Sequence, residues 1–522
     1  MDDKWDYLFG AAAGQLRPFN DTLIYDFRKK KIDKIPEYLD KIFHQIVAFF
    51  GFQLEYVGWR TLTPEEHIEY LVSNQLTKGS VQIRNTETSL VAFELRFEGR
   101  SHYVYIDIPY LINERVVYND TEYFPQFPIV EKGGINRTDH GTIIVKVMRV
   151  PITFGRRSTN KYRMLSVGGT LYPELLITVK IHQGAGSGEK SESTPLVLYH
   201  FCKLGYIQTM LKYKMDPQSI QISHTFDTKD PDYDYFSLPD GKRYLKVARS
   251  ALADCYHRRM VLSLYRMFIE IPEFRDEDVF GNDPSYYKAV LGKFIGSRDD
   301  NQNKLLIPNA NKHLAMTDPM LDKVAQEQLR SVNCNCEDIY DLLYWMYFNI
   351  DDQLVSYDPT NLYDKKVEGL DDLAYCPARN IVTTQYKIIN SKKTILDEKT
   401  VEQFCKRASQ RPSWIKAGDT IFRPNPVLYN DNWLAQMGLK RFLSLEPIAS
   451  SFSKRKKTGS KTTTSPYLLK AHYSQLTVTA LLTIPASAPV KTGDMNPWAE
   501  IDPEGGDLIR PDYADEIVHV YD

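Results

Sequence analysis

The period of the hydrophobic pattern changes along the chain, and that change restricts the fold more than any single motif. In Ile35 to Phe52 the apolar residues Ile35, Leu39, Ile42, Phe43, Ile46 and Val47 recur three or four apart, with Pro36 suited to a first turn. That spacing predicts an amphipathic helix. In Ser80 to Arg84, Leu90 to Phe97 and His102 to Ile108, β-branched and aromatic residues alternate or cluster, with turns at Lys78-Gly79 and Glu98-Gly99. Such segments predict antiparallel sheet. Gly141 to Phe154 and Leu171 to His182 continue the strand pattern, while Gln183 to Thr194, rich in Gly, Ser and charge, reads as a surface loop. Helical spacing returns from Tyr244 to Ile271, from Asp318 to Ile350 and in Asp397 to Arg407, and strand-like residues follow from Leu476 to Ile484. Long stretches of each period predict an α+β chain rather than a sandwich or a barrel.

With 522 residues, 43% of them hydrophobic, the chain can bury the cores of two to four modules. Its formal charge of −2 excludes a uniformly basic protein, so contact with nucleic acid has to come from local patches. Six cysteines are too few for a disulfide scaffold; Cys334 and Cys336 form the one close pair, and no C-x-x-C spacing suggests zinc. Met1 to Gln15 carries Asp2, Asp3 and Asp6 where a signal peptide needs basic residues. The apolar stretch Ile42 to Phe52 is interrupted by His44 and Gln45 and falls short of the ~20 residues that span a bilayer. Neither secretion nor a membrane is expected.

The common catalytic motifs are absent: there is no G-x-x-x-x-G-K-[ST] phosphate loop, no H-E-x-x-H and no G-x-S-x-G. The alternating run Asp230, Asp232, Asp234 has a spacing able to hold the two magnesium ions of nucleotidyl transfer. With Pro231 and Tyr233 between the carboxylates and Pro239-Asp240-Gly241 just beyond, a solvated acidic turn fits it better. Asp351-Asp352 reads as a solvated pair at a helix end. No catalytic residue, metal site or bound cofactor is assigned to the chain, and no activity is expected of it alone.

One basic stretch stands in a purely polar setting. Lys454, Arg455, Lys456, Lys457 and Lys461 stand among Ser, Thr and Gly, a composition that cannot pack a core. Phosphate is its natural partner, and a solubilising loop is the plain alternative.

Four segments then carry a resemblance. Phe127-Pro128-Ile129-Val130 precedes a turn and Gly141 to Pro151, a short Ile/Val strand closed by Arg149-Val150-Pro151. Thr194-Pro195 leads into Leu196, Leu198, Phe201 and Leu204, the apolar side of a helix that Gly205 should end. Asp358 to Gly369 is an acidic turn followed by Lys365 and Lys366. Pro466 to Leu476, including Lys470, follows the basic loop. In this order and at these intervals, the segments resemble the amino-terminal half of the β subunit of multi-subunit RNA polymerases, in the split form of phiKZ-like giant bacteriophages. The chain departs from that pattern at Asn361, Tyr363 and Ala480 to Thr483, where the family carries His, Gly and arginines, and it lacks the later Cys-Pro and Glu-Thr-Pro-Glu-Gly signatures.

The resemblance implies a protrusion in residues 1–155 and 350–450, a lobe in 156–349 inserted between them, and a fork region with tail in 451–522. It implies a non-virion polymerase subunit that clamps template DNA and the RNA–DNA hybrid inside an infected bacterial cell, in its cytoplasm or a phage-made compartment, carriage in the virion being the other location. Partners would be a C-terminal β-type subunit, β′-type subunits holding the catalytic Mg2+, and a promoter-recognition subunit. Lys454, Arg455, Lys456, Lys457, Lys461, Lys470, Lys365, Lys366, Arg156 and Arg157 are the candidate nucleic-acid contacts. The competing classes are a virion structural or assembly protein and a stand-alone nucleic-acid-binding module.

Overall fold

The computed structural model describes residues 32–50, 54–76, 88–110, 116–118, 120–125, 127–138, 141–145, 147, 151–157, 164–172, 174–181, 193–272, 274–281, 283–295, 305–318, 320–355, 358, 360–367, 375–390, 396–409, 422–424, 442–445, 472–478, 492–494, 499–502, 504–512 and 514. The chain divides into two compact units, one made of residues 1–132 and 358–522, the other of residues 133–357. The architecture is α+β, with sheets that are antiparallel in all but one pairing among the described residues.

The first unit begins as the hydrophobic spacing predicts. Helix Ile35–Phe50 buries Ile35, Leu39, Ile42, Phe43 and Ile46. It packs on a three-stranded antiparallel sheet ordered Leu54–Thr61, Thr88–Phe97, Arg100–Pro109. The Phe43 ring stacks on Phe93 at 4.7 Å and on Tyr56 at 5.5 Å. Each such buried side chain contributes roughly 1.5–3 kcal/mol. Phe97 pairs with Arg100 across a two-residue hairpin whose central residues, Glu98 and Gly99, both have positive φ (48° and 80°). Backbone twist of that hand matches the strands it joins. Ser80 to Arg84, expected as a strand, lies outside the described residues.

In the second unit a five-stranded antiparallel sheet is ordered Thr194–Pro195, Leu176–Ile181, Ile152–Arg157, Thr142–Val145, Ile135–Thr138. Ile152–Arg157 pairs with Leu176–Ile181 on one side and Thr142–Val145 on the other, so residues 133–155 belong to this unit and not to the segment before it. A smaller sheet ordered Ile220–Ser223, Tyr244–Ala248, Tyr233–Ser237 precedes helix Cys255–Glu270, so the first residues of the expected Tyr244 to Ile271 helix are strand. One core runs through the sheets and the helices, from Ile135 to Ile350.

Helix Leu198–Lys212 shows where turn chemistry is decided by context. Gly205 has φ 74°, the conformation expected of a cap, yet a second helical segment starts directly after it. The Thr209 hydroxyl donates to Gly205 O at 2.6 Å, and Tyr206 and Met210 are buried beyond the kink. Gly205 therefore kinks the helix instead of ending it, and Pro195 belongs to the preceding strand.

After residue 357 the chain re-enters the first unit. Strand Lys365–Val367 pairs antiparallel with Phe127–Glu131; Phe442–Leu445 lies parallel on the other side of Phe127–Glu131 and is followed by Thr492–Asp494. Helix Glu398–Ala408 is capped by Asp397, which accepts the Thr400 N–H at 2.8 Å. Residues Ser474–Val478, expected to begin a strand at Leu476, form a short helix. No helix among the described residues is long and apolar enough to cross a membrane.

Candidate nucleic-acid interface

Three of the four segments that carry the resemblance converge in the first unit. Ile129, Leu362, Val367 and Val478 share one buried cluster with Ile501 and Leu508. Asn361 starts the turn Leu362–Asp364 by accepting the Tyr363 N–H at 3.1 Å. The Leu362 N–H donates to Ser474 Oγ at 2.9 Å, and the Tyr363 and Thr477 hydroxyls are 2.7 Å apart. His472 Nδ1 lies 2.8 Å from Ser474 Oγ, and burial lowers the His472 pKa. Asn361 and Tyr363, two of the positions that depart from the β-subunit pattern, are thus working parts of this junction.

Lys365, a candidate phosphate contact, is instead wholly buried. Its Nζ lies 2.6 Å from Glu131 Oε1, and both side chains are 0% exposed. A lysine so enclosed has no surface to offer a phosphate. Lys366, its neighbour on the opposite face of the strand, is half-buried opposite Val130. In the second unit Arg156 Nη1 lies 2.8 Å from Asp351 Oδ1, and Arg259 donates to the other oxygen of the same carboxylate. Arg259 and Arg258 reach Glu174 as well, at 3.1 and 3.3 Å. Burial alone would raise the Asp351 pKa, but hydrogen bonds from Arg259 and Arg156 hold it below the usual carboxylate range. Asp351 is therefore a bridging anion between a strand and two helices, in place of the solvated acid expected. The Arg157 side chain and Lys454, Arg455, Lys456, Lys457, Lys461 and Lys470 lie outside the described residues.

The acidic run is taken up by the turn. Asp230 accepts the N–H groups of Asp232 (3.0 Å) and Tyr233 (3.2 Å) and the Tyr235 hydroxyl (3.0 Å), contacts that keep its pKa low. Asp234 is buried and bonded to Tyr172 and to Arg249 at 3.3 Å. Among the described residues no group of three His, Cys, Asp or Glu is placed to hold a metal ion.

One feature of the second unit escaped the motif reading. A cavity of about 540 Å³ is lined by Tyr344, Trp345 and Phe348 of helix Ile339–Val355, with Lys214, Glu337 and Asp341 among its polar groups. The signal was present in the sequence: 341, 344, 345 and 348 follow helical spacing on a stripe distinct from the buried Leu342, Leu343 and Met346.

Comparison with curated proteins finds no match. A family model described as non-virion RNA polymerase subunit matches residues 12–411, most of the chain. Since the match includes all of the second unit and runs into the first on both sides of it, the chain belongs to the family of non-virion RNA polymerase subunits.

Proposed function

We propose that the chain is the amino-terminal half of a split β-type subunit, and that it helps clamp template DNA and the RNA–DNA hybrid during transcription. Membership of the subunit family makes it a part of an RNA polymerase that acts with other subunits. The finer reading is supported above all by the junction around Leu362: segments near residues 127, 362 and 474, collinear with the β-subunit pattern, meet in one cluster while residues 133–357 form a separate inserted unit. A protrusion interrupted by a lobe would have such a layout, which supports the reading. The basic stretch Lys454 to Lys461 would contact phosphates without reading sequence, as a processive enzyme needs. Mg2+ and its aspartates would reside in a β′-type partner, and the site of action would be the infected bacterial cell.

The native complex tests this directly. Mass spectrometry of the purified, transcribing enzyme should find a C-terminal β-type chain and a chain bearing Asp-x-Asp-Gly-Asp. A homomeric assembly without such partners, or DNA binding by this chain alone, would overturn the reading.

A further inference from the structure

Residues 333–337 of the second unit alternate between exposed and buried, the two-residue period of an extended segment, and both buried positions are cysteines. Cys334 is 0% exposed and Cys336 4%. Side chains two apart on such a segment leave it on the same side, and here Cys334 Sγ and Cys336 Sγ meet at 2.9 Å, hydrogen-bonded thiol to thiol. A disulfide has a bond of about 2.05 Å, so forming one takes a shift of about 0.9 Å between the sulfurs.

The segment is held at both ends by other bonds. The Cys334 N–H donates to Leu329 O at 3.1 Å, at the end of helix Lys323–Arg330, and Gln326 of that helix donates through Nε2 to Glu337 O at 2.6 Å. The Glu337 N–H reaches Asp341 Oδ2 of helix Ile339–Val355 at 3.3 Å. Asn333, with φ 60°, makes the turn that leads in. The fold thus keeps the sulfurs together without a covalent bond between them. The two thiols are not equivalent. Cys336 lines the cavity of about 540 Å³, and Cys334 is not part of that wall. The hydrogen bond with Cys336, and then burial, push the Cys334 thiol well above its ordinary range. A reagent entering the cavity therefore meets Cys336 first.

We propose that Cys334 and Cys336 are a reversible dithiol–disulfide site that exchanges with a small-molecule disulfide through this cavity. The Cys336 thiolate attacks one sulfur of the reagent RS–SR, forms a mixed disulfide and releases RS⁻. Cys334 then gives up its proton and attacks Cys336 Sγ; the Cys334–Cys336 bond forms and a second RS⁻ leaves. The two thiol protons end on the two RS⁻, so the pair loses two electrons while one RS–SR is reduced to two RSH. Excess RSH runs the same steps backwards. A ring closed across so few residues gains little from chain entropy, so the bond registers the thiol–disulfide balance around the chain rather than bracing the fold. The inference uses the second unit alone and is independent of which subunit the chain represents.

Trypsin should release both cysteines in one peptide, Ser331 to Lys365, which has no other cysteine. The full chain is equilibrated with bis(2-hydroxyethyl) disulfide and 2-mercaptoethanol at graded ratios, quenched, alkylated under denaturing conditions, digested and weighed. Excess disulfide reagent should leave that peptide without alkyl groups and two hydrogens lighter than the dithiol, and excess thiol should return two alkyl groups. Half-oxidation in urea should require about tenfold more of the disulfide reagent, because the unfolded chain no longer holds the sulfurs together. Cys334→Ser should stop at a mixed disulfide on Cys336, and Cys336→Ser should leave Cys334 a free thiol. Two alkyl groups at every ratio, mixed disulfides on both cysteines of the wild type, or a half-oxidation ratio unchanged by urea would overturn the proposal. The wild-type chain supplies all three of these outcomes, so the test stands even where a variant does not fold.

Discussion

Lys365 and Glu131 form an ion pair with an Nζ–Oε1 distance of 2.6 Å, and neither side chain reaches solvent. They lie opposite each other on paired strands, Lys365–Val367 and Phe127–Glu131, that are joined in sequence only through the whole second unit. A charge buried here without its partner has no water to turn to. Glu131→Ala should therefore destabilise the first unit by about 3–5 kcal/mol, whereas Glu131→Leu combined with Lys365→Met should come close to the wild type. Urea denaturation of the single and double variants checks this; a single variant as stable as wild type would contradict the burial.

Gly133 and Gly241 separate backbone strain from crowding. Their φ values are close, 67° and 65°. A Cβ at Gly133 would lie 2.7 and 2.8 Å from the methyl carbons of Val332, while one at Gly241 meets nothing within 4 Å. Gly241→Ala should cost about 1–2 kcal/mol from the left-handed backbone. Gly133→Ala should cost about 1–3 kcal/mol more, because the second unit has to shift to admit the methyl. Equal denaturation midpoints for the two variants would rule out the crowding.

Two histidines buried in the second unit make it sensitive to acid. His200 and His313 bond the hydroxyls of Tyr213 (3.1 Å) and Tyr199 (2.8 Å). Burial lowers their pKa values to about 3 and about 4, nearby Lys212 and Lys203 adding to the effect at His200. Between those values and the ordinary 6.5 the unfolded chain binds more protons than the folded one. Stability should be unaffected by these groups above pH 6.5, fall as the pH drops below it, and level off below the folded values. His200→Phe should flatten part of that slope, read from denaturant midpoints across the pH range; an unchanged slope would show that His200 is not the group responsible.

Template binding by the assembled polymerase should depend on the basic stretch. Replacing Lys454, Arg455, Lys456 and Lys457 by alanine should weaken binding most at low salt. If all four contact phosphate, the slope of log affinity against log salt should become shallower by about 3. A slope equal to that of the wild-type enzyme would place the stretch away from DNA and RNA.

The helix Ile35–Phe50 and the hairpin at Glu98-Gly99 were legible because both are written in local spacing: a three-four repeat of apolar residues, and a turn between two alternating segments. The absence of common catalytic motifs was legible for the same reason. Local pattern could not reveal that Gly205 would be followed by more helix, since that depends on burial of Tyr206 and Met210 by distant segments. Nor could it separate Lys365 from Lys366, adjacent residues whose side chains leave a strand on opposite faces.

The sequence by itself determined the α+β class, the main helices and hairpins, and the order of segments that leads to the polymerase family, because period, turn residues and collinearity are all properties of the chain. Only the tertiary structure decided which charges are internal. Lys365 meets Glu131, and Asp351 bridges Arg156 and Arg259. Those outcomes depend on which groups share the same low-dielectric interior, and residues far apart in the chain are brought to it only when the sheets and helices pack.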